Sequence, residues 1–115
     1  MLLFSPEAEA LRATLRDAFG LQSVDAGGGW LIFALPPAEL GVHPDAGTGH
    51  QISFMCDDIR ETIDELRSKG VRIDGEPEDR GFGIVAIMVL PGEVKVNLYQ
   101  PRHALAISPQ AIKAA

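Results

Sequence analysis

A chain of 115 residues with 46% apolar and 23% charged residues has the make-up of one globular domain, and it excludes a disordered chain. The net charge of -6 comes with only ten scattered Lys and Arg, so phosphate-tracking contacts to nucleic acid are not expected. One cysteine, Cys56, cannot form an internal disulfide, and no apolar run approaches the roughly 20 residues of a membrane helix. The opening residues lack the basic start and long apolar core of a secretory signal, which predicts a reducing cytoplasm.

Ser5 and Pro6 open the first predicted helix, over 6–19, with Leu11, Leu15, Ala18 and Phe19 on one face and Gly20 as its stop. A short strand through 21–25, the Gly27-Gly28-Gly29 turn and the apolar run 30–35 predict a hairpin. The glycines lack a Lys and open onto no helix, so they are not a phosphate loop. After Pro36 and Pro37, the alternation Glu39-Leu40-Gly41-Val42-His43 predicts another strand, and 44–49 is linker-like. A short first strand is expected at 2–4.

The pattern then restarts. Residues 51–56 predict a strand, Asp58 and Glu61 a helix-start box, and Ile59, Ile63 and Leu66 the buried face of a helix that ends at Gly70, with Glu65 and Lys69 pairing four apart outside. Residues 71–73, 84–90 and 94–99 follow as strands, separated by a turn-rich stretch over 74–83 and by Pro91-Gly92. Strand, helix and three strands therefore recur at a spacing near 50 residues. The predicted fold class is α+β, with two βαβββ modules forming a curved mixed sheet, or cup, and helices outside. Module one spans about 1–45 and module two about 49–103, in a single domain over 1–103 with a tail over 104–115. Ligands bind in such a cleft.

The run Gln51-Ile52-Ser53-Phe54-Met55-Cys56-Asp57-Asp58-Ile59, the helix end Glu65-Leu66-Arg67-Ser68-Lys69-Gly70-Val71, and Leu90-Pro91-Gly92 through Asn97-Leu98-Tyr99-Gln100-Pro101 resemble the second module of the vicinal oxygen chelate superfamily. That superfamily includes glyoxalase I, extradiol dioxygenases, and fosfomycin- and bleomycin-resistance proteins. Gly29-Trp30-Leu31-Ile32-Phe33-Ala34-Leu35-Pro36 resembles its first module more loosely. The resemblance implies the fold, a homodimer and a small-molecule partner, while the superfamily hosts many chemistries. In its metal enzymes one residue from the first and one from the last strand of each module hold a divalent ion. Those positions correspond here to Gln51, Asn97 and Gly41, with Glu39 and His43 either side of Gly41, and a fourth falls before Met1.

Strand parity gives a separate route to the same surface. Ile52, Phe54 and Cys56, and Val94, Val96 and Leu98, must face helices, so Gln51, Ser53, Met55, Lys95, Asn97 and Tyr99 face the cup, as do Glu39, Gly41 and His43 opposite Leu40 and Val42. The expected ligand-binding set is Glu39, His43, Gln51, Ser53, Lys95, Asn97 and Tyr99. Trp30, Phe33 and Tyr99 are candidate pocket walls, and Trp30 is equally a candidate dimer contact. No cofactor is expected. Were a divalent nickel, zinc or iron ion bound, His43, Glu39 and Gln51 are its candidate ligands, although two ligands from one strand leave a site short of three or four. His43 and Glu39 are alternatively an acid–base pair, or His43 a structural residue. His50 falls on the helix side of this register, His103 on the surface, and Cys56 in the core. Two functions follow: a metal-free module that encloses a small organic molecule, or a metal-dependent lyase, isomerase or dioxygenase.

Overall fold

The computed structural model describes residues 2–42 and 44–107. Its first half contains helix α1 (Ala8–Asp17) and a hairpin of β1 (Ser23–Asp25) and β2 (Leu31–Phe33). Its second half contains β3 (Ser53–Met55), α2 (Ile59–Ser68), β4 (Arg72–Asp79), β5 (Gly83–Leu90) and β6 (Val94–Pro101), a complete βαβββ unit. The second-half strands form one open, curved mixed sheet in the order β3-β6-β5-β4, with β3 parallel to β6 and the remaining pairs antiparallel.

Both helices lie on one face of that sheet. Leu11, Leu15 and Ala18 of the first half meet Ile59, Ile63 and Leu66 of α2 over Ala86, Met88, Leu90, Val96 and Leu98, in a core where Met88 and Val96 are at most 1% exposed. Each helix carries its apolar residues three and four apart, the spacing that aligns them on one stripe. The Asp58 side chain accepts from the Glu61 amide at 3.1 Å, which caps α2 as expected. A further bond ties that helix to the sheet, from the Ile59 amide to Gln100 Oε1 at 2.8 Å.

Helix α1 starts two residues later than Ser5 and Pro6 suggest. Ser5 Oγ still accepts from the Glu7 amide at 3.0 Å, but it also donates to the Pro91 carbonyl at 2.9 Å, and Glu7 Oε2 accepts from the Gly92 amide at 2.8 Å. The start of the chain is thus fastened to the β5–β6 turn. Gly92 has φ +87°, and a Cβ there would run into Ser5 Oγ, so only glycine permits this approach.

Three expected elements differ. Residues 2–4 and the described part of 39–43 form no strand, since neither has a neighbouring strand to satisfy its backbone groups, and Leu40 and Val42 are 92% and 95% exposed rather than packed on a helix. The stretch 74–79, expected as turn, continues β4 through an irregularity between Asp74 and Glu78, where Gly75 and Pro77 interrupt the ladder. No helix among the described residues is long and apolar enough to cross a membrane.

Candidate functional site

The sheet face away from the helices is where the sequence's polar and aromatic candidates gather. Antiparallel register puts Lys95 beside Val89, Asn97 beside Ile87 and Tyr99 beside Val85, and parallel register puts Ser53 beside Asn97 and Met55 beside Tyr99. Directly paired residues share a face, so these eight side chains form one surface. Val85, Ile87 and Val89 lie on this second face, outside the apolar cluster beneath the helices; Val85 and Val89 are buried there and Ile87 is partly exposed.

A groove of about 390 Å³ opens on this face, lined by His50, Gln51, Ile52, Ile87, Lys95 and Asn97. It therefore brings together three of the expected ligand-binding residues, Gln51, Lys95 and Asn97. The Asn97 amide donates to the Ile52 carbonyl at 3.0 Å, which fixes β6 against the residues that precede β3. Lys95 Nζ lies 4.0 Å from Asp74 Oδ2, with both side chains more than half exposed. Such a pairing contributes little and leaves the ammonium open to a ligand.

Tyr99 forms the other end of the face. Its hydroxyl donates to the Phe82 carbonyl at 3.3 Å, and its ring lies 6.1 Å from that of Phe82 and 5.8 Å from that of His103. Gly83 is required beneath it, because a Cβ there would strike Tyr99 Cε1. Burial, and after it the nearby Glu39 carboxylate, push the Tyr99 phenol above its ordinary pKa. Glu39 is half-buried, and its Oε2 accepts from the Ile107 amide at 3.1 Å. The tail segment before residue 108 thus reaches back to the 34–42 loop.

The other sequence candidates fall as follows. Ser53 and Met55 are exposed on the same face. His43 lies outside the described residues. Phe33 packs against the core rather than walling a pocket, because β2 lays one face on it, whereas Trp30 is 51% exposed. Cys56 is half-buried against the core, and burial raises its thiol pKa. Outside the expected set, His50 lines the groove and Phe82 and His103 flank Tyr99, with His103 exposed as expected. Parity assigned His50 to the helix side, but the alternation extends back from β3 only as far as Gln51, and His50 is exposed and lines the groove. Phe82 sits in a turn, where no periodicity exists to mark it.

The superfamily's metal positions can be tested on these donors. Gln51 and Asn97 offer neutral amides, and Lys95 places a cation in the same groove. Among the described residues no three His, Cys, Asp or Glu side chains converge. Weak neutral donors beside an ammonium do not suit a divalent ion, which favours carboxylate, imidazole or thiolate.

A second groove, of about 310 Å³, lies around the Pro91-Gly92 turn between Glu7, Thr14, Arg72 and Glu93. Arg72 and Glu93 bind each other across it at 2.6 Å. It holds none of the expected site residues.

Comparison with known proteins agrees with this architecture. Solved structures of similar shape include a lactoylglutathione lyase from Agrobacterium tumefaciens, 18% identical, with 85% of this chain and 88% of that one covered at a TM-score of 0.62. An antibiotic-binding protein from a Streptomyces species is 21% identical, with 84% and 88% covered at 0.60. A fosfomycin resistance protein from Listeria monocytogenes is 16% identical, with 93% and 92% covered at 0.59. At these identities the likeness is one of fold. No curated protein matches the chain at a significant level. The sequence profile of the Glyoxalase/Bleomycin resistance protein/Dioxygenase superfamily matches residues 3–97, and the chain belongs to that superfamily.

Proposed function

We propose that this protein is a cytoplasmic small-molecule-binding member of its superfamily that holds an organic ligand on the open face of the second-half sheet without the superfamily's metal. The observation that carries this is the donor set of the groove: Gln51, Asn97 and Lys95 are hydrogen-bonding groups suited to an organic ligand and poorly suited to a divalent ion. Ser53, Tyr99 and Glu39 extend the polar contacts, and His43 is assigned to the same ligand set. Fold likeness to an antibiotic-binding protein is consistent with the scheme, though binding there is a property of that protein.

The apolar side chains exposed in the first half, Val24, Trp30, Ile32, Leu35, Leu40 and Val42, support a homodimer that covers them. Sedimentation of the purified protein as a monomer at micromolar concentration would remove that part of the proposal.

The rival is a metal-dependent lyase, isomerase or dioxygenase built on Glu39, His43 and Gln51, and the lactoylglutathione lyase likeness is what favours it. Metal analysis separates the two. The proposal expects purified protein to carry no stoichiometric metal. Nickel, zinc or iron at one per chain, lost on His43→Ala, would establish the rival instead.

A further inference from the structure

The open face is polarised along its length. At one end the groove lining contains Lys95, His50 and two amides but no carboxylate, in a chain whose net charge is -6. The only ion-pair partner of Lys95 among the described residues, Asp74, is 4.0 Å away and more than half exposed, so an incoming anion displaces it at small cost. At the other end, Tyr99 gathers Phe82 and His103 into a run of three rings. The Glu39 carboxylate acts on Tyr99, which makes this end unfavourable for a second anion. Between the ends lies Ile87, partly exposed and lining the groove, flanked along β5 by the buried Val85 and Val89.

Lys95 and Tyr99 are four residues apart on one strand, a span of about 13 Å at the usual rise of about 3.3 Å per residue. That is the length of an organic molecule with a ring at one end and a charged group at the other.

We propose that the site selects an elongated aromatic anion, with a planar ring against Phe82 and Tyr99 and a carboxylate or similar anion on Lys95. The assignment rests on the ligand-binding function proposed above and adds the ligand class. Ring contacts at offset or edge geometry supply the aromatic preference, and the charge-assisted bond to Lys95 supplies the anion preference. Lys95 at one end and the rings of Phe82 and Tyr99 at the other set the direction in which the ligand lies.

Fluorescence titration of the full chain with three probes tests this: 1-pyrenebutyrate, the neutral 1-pyrenebutanol, and decanoate, an anion without a ring, the last by competition. Pyrenebutyrate is expected to bind about ten-fold more tightly than the alcohol, the worth of one charge-assisted bond. Lys95→Met should erase that difference. Phe82→Ala, at a side chain 51% exposed and therefore tolerant of change, should weaken both pyrenes by about five-fold. Circular dichroism checks that each variant is folded. Equal binding of acid and alcohol, a preference that survives Lys95→Met, or decanoate competing as strongly as pyrenebutyrate overturns the ligand class. If the alcohol binds more tightly and loses affinity in Phe82→Ala, the anion assignment fails while ligand binding on this face stands. If no pyrene binds, the ligand class fails; the wider function falls with it only if the metal-stripped protein also binds nothing on this face.

Discussion

Replacing Gly92 by alanine perturbs the joint between the start of the chain and the β5–β6 turn, and a second glycine provides its control. Gly92 and Gly70 share φ +87°, so an alanine at either one meets the same backbone strain of about 1–2 kcal/mol. A Cβ on Gly70 has no atom within 4 Å, whereas one on Gly92 would strike Ser5 Oγ and crowd Ser5 Cβ and Pro6 Cδ at 3.1 Å. Gly92→Ala must therefore also break the bond from Ser5 to Pro91 and disturb the one from the Gly92 amide to Glu7. At about 0.5–1.5 kcal/mol net for each bond, the second variant should lose about 1–2 kcal/mol more than the first. Urea unfolding followed by circular dichroism measures both, and in Tm the difference amounts to several degrees for a domain of this size. In a Ser5→Gly background, which already lacks the Ser5 bond and the Ser5 atoms in the way, adding Gly92→Ala should cost little more than Gly70→Ala does in the parent. Equal losses in the two alanine variants would refute the joint as a source of stability.

Met88 is fully buried between the helices and the sheet, so Met88→Ala should cost about 2–5 kcal/mol in the same assay. Burial that raises the Cys56 pKa leaves little thiolate, and Cys56 should react with a disulfide reagent at pH 8 well below the rate of a free thiol, with unfolding in urea restoring that rate. Tyr99 has its folded pKa raised, first by burial and then by Glu39, so its contribution is full below the ordinary phenol value and is lost as pH rises through the folded one. Stability between about pH 9 and 11 should accordingly fall more steeply in the parent than in Tyr99→Phe.

The parts of the fold legible in the sequence are those where periodicity reports burial. Ile52, Phe54 and Cys56 alternate with exposed Gln51, Ser53 and Met55, and the same two-residue rhythm runs from Val94 to Tyr99, which is why the face that carries Lys95, Asn97 and Tyr99 is legible in the sequence. Alternation misled at Leu40 and Val42. A strand needs a neighbour as well as a pattern, and no ladder partner lies beside that loop. His50, Phe82 and His103 reach the site from outside regular strands, where position depends on tertiary contacts rather than on spacing. The register of β4 was hidden for a related reason: Gly75 and Pro77 read as turn residues, yet a bulge accommodates them inside a strand.

The central claim is that the open face binds an organic ligand unaided by metal, and amide chemical-shift mapping of EDTA-treated protein with pyrenebutyrate tests it most directly. Shifts concentrated at Ser53, Ile87, Lys95, Asn97 and Tyr99 are the predicted result. Shifts confined to the second groove, at Gly70, Arg72, Gly92 and Glu93, or appearing only after nickel or zinc is added, would contradict it.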